Sequence, residues 1–402
     1  MIRTYLLLLC LLIGMLYASA QDTSKIRTLE VYGFVMTDAG YNLHQINPSW
    51  FDALRISKLP SYKDQFAPDG QVFFSVRQTR FGVRGWTQTP IGELKTVFEM
   101  DMFGVGADEG QTTLRPRHYY AEVGRFAVGQ TNTPFMDGDV FPNTVEYWGP
   151  TGMVFFRNIQ LRYAPMLGEN ELFLALERPG ASADLGPFQN RIELDSVRGH
   201  FALPDFSAHY KRSGTWGHVQ MAGMLRQLKW KDIHTTGKYD ISGSVMGWGL
   251  HLSTVLNLGM KNVFRGSVVV GEGIENYMND APVDVGIVID SANRTKPATG
   301  KALPVTGISA FFEHSWNSRF SNSLGYSSTN IENSANGSAN AYKMGQYAIL
   351  NFVAVPFSNA MAVVELQWGR RTNYKDDFSS DAMKVQFSFK YNFSQVFYKH
   401  KD

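Results

Sequence analysis

The chain has 402 residues, with 38 Lys+Arg against 36 Asp+Glu and a formal net charge of +2. This near balance argues against a nucleic-acid-binding protein, because such proteins usually carry a strong basic excess. The single cysteine excludes both a framework of disulfide bonds and a zinc cluster with cysteine ligands.

The first twenty residues have the three parts of an export signal. Arg3 supplies the positive start, an apolar stretch runs from Leu6 to Leu12, and an Ala-Ser-Ala sequence at 18–20 fits the cleavage motif. The apolar stretch is too short for a comfortable membrane span. We therefore predict residues 1–20 as a signal peptide.

After the signal, apolar and polar residues alternate in segments of about ten residues set between turn-forming residues, a pattern typical of β-strands. The last segment is the clearest, because Val385, Phe387 and Phe389 share one face and polar residues lie between them. Sixteen strands are predicted, near 29–38, 72–86, 92–103, 113–124, 126–131, 154–164, 171–178, 201–211, 216–227, 240–255, 260–270, 305–316, 319–328, 344–355, 360–371 and 382–393.

Alternation alone fits either a soluble β-sandwich or a membrane barrel. The connections favour the barrel, because long ones alternate with short turns along the whole chain. Long connections are predicted at 39–71, 104–112, 132–153, 179–200, 228–239, 271–304, 329–343 and 372–381. We predict an all-β protein, a transmembrane antiparallel β-barrel of about 16 strands spanning residues 29–393. A short periplasmic segment, 21–28, precedes this porin domain, and a C-terminal tail, 394–402, follows it.

The third long connection, 132–153, is the best candidate for a loop that folds inward and narrows a pore. It follows a short strand, is rich in turn-forming residues and carries acidic and aromatic side chains. The alternative is an ordinary external loop. The candidate constriction residues are Phe135, Asp137, Asp139, Glu146 and Trp148.

Arginines on the predicted strands are candidates for a cationic wall opposite that acidic loop. They are expected to face the lumen, because an arginine at the lipid midplane costs about 2–4 kcal/mol. A guanidinium group can bind a carboxylate through two parallel hydrogen bonds, which suits anionic solutes. The alternative is an ion pair with a lumen carboxylate that never contacts solute. The candidates are Arg80, Arg84, Arg115, Arg117 and Arg162.

Two stretches resemble the DcaP-like trimeric outer-membrane porins. The first contains QTRFGVR at 78–84, GELK at 92–95 and FEMDMF at 98–103. The second contains RPRH at 115–118, VGQT at 128–131, FMD at 135–137, WGPTG at 148–152 and IQLRY at 159–163. The resemblance is strongest over 72–164. It implies a sixteen-stranded homotrimer whose third loop folds inward and which passes small anionic solutes, including dicarboxylates.

The sequence departs from that family in two places. Some members carry a long helical segment before the barrel, whereas only about 21–28 precede the first predicted strand here. Barrel signals usually end at a terminal aromatic residue, but Phe393 is followed by 394–402.

No motif for catalysis or for a cofactor is recognised in the sequence, which has neither HExxH nor G-x-S-x-G. We predict no enzyme activity, no cofactor and no histidine-based metal site. Whether Asp280, Asp284 and Asp290 bind calcium is left open, since acidic loops are often simply solvated.

The expected function is a passive channel for small anionic solutes in the outer membrane of a Gram-negative bacterium. Its expected partners are outer-membrane lipid, the solutes and two further copies of the chain, with no nucleic acid. Two alternatives remain open. One is a general porin or one that prefers phosphate or sugars, and the other is a surface barrel whose external loops bind a partner.

Overall fold

In the computed structural model, the described residues are 26–180, Ile192, Leu194, 197–233 and 239–399. The predicted signal peptide lies outside them. In chain order the strands are β1 (Ile26–Asn42), β2 (Gln71–Ser75), β3 (Arg80–Thr89), β4 (Gly92–Phe103), β5 (Thr112–Val123), β6 (Phe126–Asn132), β7 (Arg157–Met166), β8 (Asn170–Glu177), β9 (Val197–Gly199), β10 (Asp205–Gly214), β11 (Gly217–Asp232), β12 (Gly243–Leu258), β13 (Asn262–Glu272), β14 (Val285–Ile289), β15 (Ala298–Ala302), β16 (Pro304–Ser315), β17 (Phe320–Ile331), β18 (Tyr342–Ala354), β19 (Ala360–Asn373) and β20 (Ser379–Lys399). Short 3-10 helices lie at Pro48–Trp50, Ile56–Lys58, Gly106–Asp108, Gly138–Val140 and Glu275–Tyr277. None of these described helices has the length and apolar character to cross a membrane.

Sixteen of the strands form a closed antiparallel barrel. Each pairs with the next barrel strand along the chain, and β20 closes the ring by pairing with β1. This closing register runs from Thr28 opposite Lys399 to Asn42 opposite Lys384. The predicted all-β barrel of about 16 strands is therefore confirmed.

The two faces of the barrel wall have the reverse polarity of a soluble protein. On β12, Met246, Leu250 and Leu252 are exposed on the outer face, whereas His251 and Ser253 are buried on the inner face. Apolar side chains facing outward suit the hydrocarbon of a bilayer, and polar ones facing inward suit a wet lumen. Closure completes the arrangement, because it leaves no strand edge with unpaired backbone groups in lipid.

The predicted strand 72–86 is in fact two strands, β2 and β3. β2 pairs with Asp38–Asn42 at the end of β1, whereas β3 pairs with the first half of β1. The wall is interrupted between them, where the buried side chain of Arg77 points inward. Its side chain pairs with Asp52 at 2.6 Å and donates to the backbone oxygen of Gly104 at 3.0 Å. The alternation changes phase across this turn, because Val72, Phe74 and Val76 are exposed before it and Phe81 is exposed after it.

Further strands lie in stretches predicted as loop or tail. β14 and β15 form a hairpin within the connection 271–304, and β9 adds a short strand beside the end of β11. β20 also continues past Phe393, because residues 394–399 pair with the start of β1.

Three long connections fold into the barrel. We call them the first loop (43–70), the third loop (133–156) and the sixth loop (273–303). Their apolar side chains pack together with inward-facing residues of the wall. The loop members of this core include Leu54, Ile56, Leu59, Phe135, Met136, Tyr277 and Met278. The lumen is thereby narrowed from the side of the long loops, which is the extracellular side in barrels of this kind.

Candidate pore constriction

The third loop is fixed to the barrel wall near its start. The Asp137 carboxylate lies 2.7 Å from His218 Nε2 on β11 and accepts a hydrogen bond of 2.7 Å from the Ser253 hydroxyl on β12. Burial raises the pKa of this carboxyl, but these two partners and the nearby Lys211 ammonium outweigh burial and lower the pKa to about 2. Asp137 is therefore ionised at neutral pH and anchors the loop.

A second anchor lies farther along the third loop. Glu146 forms an ion pair with Lys384 on β20, and both side chains are 0% exposed. The carboxylate also accepts a hydrogen bond of 2.8 Å from the backbone N–H of Leu54 in the first loop. Lys384 in turn donates to the backbone oxygen of Asp52 at 2.9 Å. One lysine of the wall therefore holds both the first and the third loop.

A third anchor is Glu365, a buried residue of β19. It accepts hydrogen bonds from the Thr144 hydroxyl at 2.7 Å and from the backbone N–H groups of Val145 and Glu146 at 3.1 and 3.2 Å. Together, the anchors on β11, β12, β19 and β20 hold the third loop inside the barrel.

The acidic side chains of the third loop do not form the negative wall that was expected opposite the arginines. Asp137 points into the barrel wall, and Glu146 touches the lumen cavity but is neutralised by Lys384. Asp139 is mostly exposed and forms an ion pair with Lys211. The reason is energetic, because a carboxylate buried inside the wall must be paired and hydrogen-bonded.

Asp137, Asp139 and His218 also place potential ligand atoms within 4.8 Å of one another. The ammonium of Lys211 pairs with Asp139 and lies 3.8 Å from Asp137. It thus occupies the position between the two carboxylates that a bound cation would take.

Beside the third loop lies a cavity of about 430 Å³. Five arginines line it, Arg55, Arg80, Arg115, Arg117 and Arg157, and the imidazole of His118 lies among them. The third loop contributes mainly uncharged side chains: Met136, Phe141, Pro142, Thr144, Tyr147 and Trp148. The cavity is therefore basic on the strand side and largely uncharged on the loop side.

Two of these arginines are tied to buried carboxylates. Asp101 accepts hydrogen bonds from Arg115 at 2.8 and 3.1 Å and from Arg117 at 2.8 Å. Arg117 also donates to Glu99 at 2.9 Å. The Tyr147 hydroxyl donates to Asp101 as well, and burial raises the pKa of this phenol, which keeps it protonated. Arg115 and Arg117 are thus held in fixed positions by their partners.

Arg80 is held less tightly. Its Nε lies 3.6 Å from Glu99, and its side chain is 27% exposed. Its guanidinium carbon lies 5.1 Å from the centre of the Phe34 ring, and the Lys390 Nζ lies 5.1 Å from the same ring. Arg80 on β3 and Lys390 on β20 therefore flank the ring of Phe34 on β1, the strand between them. Lys390 was not among the predicted cations of the pore, although its place on the polar face of the last strand was an available signal.

Two of the predicted arginines lie elsewhere. Arg84 stacks on Tyr32 at 3.7 Å and lies 3.9 Å from Glu30, and Arg162 pairs with Glu122 at 3.0 Å. Neither is among the residues that line the cavity. On β3, Arg84 lies nearer to the following short turn than the cavity-lining Arg80 does. On β7, Arg162 likewise lies nearer to the short turn than the cavity-lining Arg157. Alternation predicts which face a residue occupies but not its height in the barrel.

The aromatic candidates differ in role. Trp148 lines the cavity, and the Arg55 guanidinium lies between it and Trp50, at 4.6 and 4.4 Å from the ring centres. Phe135 is fully buried in the loop core and supports the loop from behind. Arg55 and Arg157 were missed because neither lies within the regular part of an alternating segment.

Two of the acidic residues considered for calcium hold the loops together. Asp280 accepts a hydrogen bond of 2.7 Å from the backbone N–H of Ser57 and lies 3.2 Å from Arg55. Asp284 lies 3.4 Å from Arg226 on β11. Both carboxylates are buried with these protein partners.

Gly152→Ala is expected to push the third loop off the wall. The Gly152 N–H donates to the Ser327 hydroxyl at 2.8 Å, and a Cβ there would lie 2.2 Å from the backbone oxygen of Ser328 and 2.5 Å from that of Ile308. Backbone atoms cannot move aside easily, so we expect a loss of about 1–3 kcal/mol in the free energy of unfolding, with a larger conductance. Denaturant unfolding and bilayer recordings measure both. Gly138→Ala is the control, because its Cβ would meet nothing nearer than 3.7 Å. Equal behaviour of the two variants would contradict the prediction.

The sequence profile of the DcaP outer membrane protein family matches residues 18–393. No curated protein matches the chain. The outer membrane channel DcaP of Acinetobacter baumannii superposes with a TM-score of 0.74 and 20% identity, over 91% of this chain and 97% of that one. The anion-selective porin from Comamonas acidovorans gives a TM-score of 0.58 and 10% identity over 91% and 99%. The trimer form of OmpT from Vibrio cholerae gives 0.54 and 11% over 92% and 100%. At these identities the structural similarities concern the fold.

Proposed function

The chain belongs to the DcaP outer membrane protein family, and we propose that it is a passive diffusion channel for small anionic solutes, dicarboxylates among them. Family and fold make it a porin-type channel of the outer membrane. The proposed anion preference is carried by one observation, the cavity of about 430 Å³ with five arginines in its lining. Guanidinium groups bind carboxylates through paired hydrogen bonds.

Selectivity in such a channel comes from the width of the constriction and the fixed charges around it. The tightly paired arginines, Arg115 and Arg117, define the shape of the basic wall. We assign Arg80 and Lys390 to the passing anion. Arg80 lines the cavity and has only a long contact with Glu99, and Lys390, outside the lining itself, flanks the cavity-lining ring of Phe34 together with Arg80. A solute carboxylate would displace water from these groups without breaking a tight ion pair.

We also propose that the mature chain begins after residue 20 and assembles as a homotrimer. OmpT of Vibrio cholerae, which shares the fold, has a trimer form. The apolar outer face of the barrel gives each copy a surface that either lipid or a neighbouring copy can cover.

Single-channel recording tests this proposal. We expect the purified protein in a planar bilayer to open in groups of three equal steps. In a salt gradient the reversal potential should have the sign of an anion-selective pore, because the cavity lining is basic. Added dicarboxylate should reduce the current by occupying the cavity.

Three outcomes would each overturn a different part of the proposal, namely the anion preference, the trimer or the channel itself. A cation-selective reversal potential would remove the anion preference but leave the channel. Independent single openings would count against the trimer. Absence of current from a folded, heat-modifiable barrel would mean that the inward loops close the lumen, and function would then lie in the external loops.

A further inference from the structure

The outer face of β11 changes character towards its extracellular end. Met221 and Leu225 are exposed apolar residues on this face, and Lys229 and Lys231 follow them in the same alternation. Trp230, between the two lysines, is only 1% exposed and points inward. Because successive side chains of a strand point to opposite faces, both lysines face outward, above the lipid-facing band.

Two neighbouring elements add cations to this place. Arg198 on β9 is exposed and lies directly opposite Lys231 in the strand register. Lys296 of the sixth loop donates to the backbone oxygen of Ser242, immediately before β12. We call Arg198, Lys229, Lys231 and Lys296 the basic cluster.

This cluster is unfavourable for the sheet unless an anion balances it. Like charges directly opposite each other on neighbouring strands destabilise a sheet, and Arg198 and Lys231 form such a pair. Asp240, an exposed residue of the following loop, accepts a hydrogen bond of 2.9 Å from the backbone N–H of Ser242, beside Lys296. Among the residues that the structure describes here, the four cations outnumber the two carboxylates of Asp232 and Asp240, which leaves a positive excess at the rim of the barrel.

A groove lies on the same strands below the cluster. It has a volume of about 440 Å³ and is lined by Phe206, Ala208, Gly223, Met224, Leu225, Trp248, Gly249 and Leu250. It exists because Gly223 has no side chain, and a Cβ there would meet nothing nearer than Leu250 at 3.7 Å. At about 3.3 Å per residue, Leu225 lies roughly 13 Å below Lys229 along β11, within reach of one extended acyl chain.

We propose that the basic cluster binds the phosphate group of an acylated lipid of the outer leaflet, one of whose chains occupies the groove. Charge and position select this occupant, because phosphate oxygens match ammonium and guanidinium donors and the groove faces hydrocarbon. The site lies on the outside of the barrel and is independent of the anions that pass through it.

The test is a lipid titration of the folded protein in detergent, followed by native mass spectrometry. Diphosphorylated lipid A is the probe, and its dephosphorylated form and inorganic phosphate are compared with it. We expect saturable binding of lipid A. The triple variant R198Q/K229Q/K231Q should weaken it roughly tenfold to hundredfold, since each cation near an anionic surface adds to the attraction. Gly223→Leu, which fills the groove and keeps the cluster, should weaken it severalfold.

The matched control is K63Q/K343Q/K375Q, which removes three exposed lysines away from β9–β12. Heat modifiability and conductance show that each variant is folded. Equal lipid A affinity for the wild type and the triple variant would overturn the proposal, as would equal losses in the triple variant and the control. Competition by inorganic phosphate with no contribution from the acyl chains would assign the cluster to free phosphate and overturn the lipid site.

Discussion

Lys384→Met is expected to lower the free energy of unfolding by about 3–5 kcal/mol and to free the third loop from the wall. The variant leaves the Glu146 carboxylate buried without a cation, and both side chains are fully buried in the wild type. It also removes the donor to Asp52 in the first loop. Because the strand ladders are untouched, the barrel should persist with a wider and less selective pore. Denaturant unfolding in detergent and single-channel conductance measure the two effects.

The double variant E146Q/K384M is the decisive control. Removing both charges of a buried pair is often nearly neutral, whereas removing one is strongly destabilising. We therefore expect the double variant to recover most of the lost stability, so that the effects of the two single variants are far from additive in the mutant cycle. If Lys384→Met had wild-type stability and conductance, this pair would not anchor the loop.

The barrel was predictable because two sequence signals agree. Alternation placed Phe387 and Phe389 outward and Gln386 and Ser388 inward, and long and short connections alternated along the chain. The break between β2 and β3 was not predicted, although the outward-facing apolar residues change from even positions, 72, 74 and 76, to an odd one at Phe81. The contact of Arg77 with Asp52 at the break joins two parts of the chain that no local pattern relates.

For the strands of the candidate site, the sequence pattern predicts which face a side chain occupies, whereas for the third loop it does not. The alternation predicts that Arg80, Arg115 and Arg117 face the lumen, and in the structure all three are among the residues that line the cavity. The sequence could not predict that Asp137 contacts His218, because an irregular loop has no repeating pattern that indicates where a side chain points. The loop side of the cavity is largely uncharged because the acidic residues of the loop pair with residues of the wall that are distant in the sequence. Such pairs cannot be recognised from the local sequence.

Replacing both Arg80 and Lys390 with Glu is expected to reverse the selectivity of the pore. The two cations flank Phe34 beside the cavity, with distances of 5.1 Å to the ring centre. At an effective dielectric constant near 20, one unit charge about 4 Å away contributes roughly 4 kcal/mol before salt screening. Reversing both signs therefore makes the constriction attractive to cations and repulsive to anions. The reversal potential in a salt gradient should change sign, and the change should shrink as salt rises.

The control K63E/K343E changes the net charge equally at two exposed lysines that neither line the cavity nor flank the Phe34 ring. It should leave the sign of the reversal potential unchanged, because long-range fields are screened within about 10 Å at 0.1 M salt. Arg117→Glu is a poorer test, since it would place a third carboxylate against Glu99 and Asp101 and endanger folding. An anion-selective R80E/K390E pore would mean that the fixed pairs at Arg115 and Arg117 set the selectivity and that the loosely held cations do not.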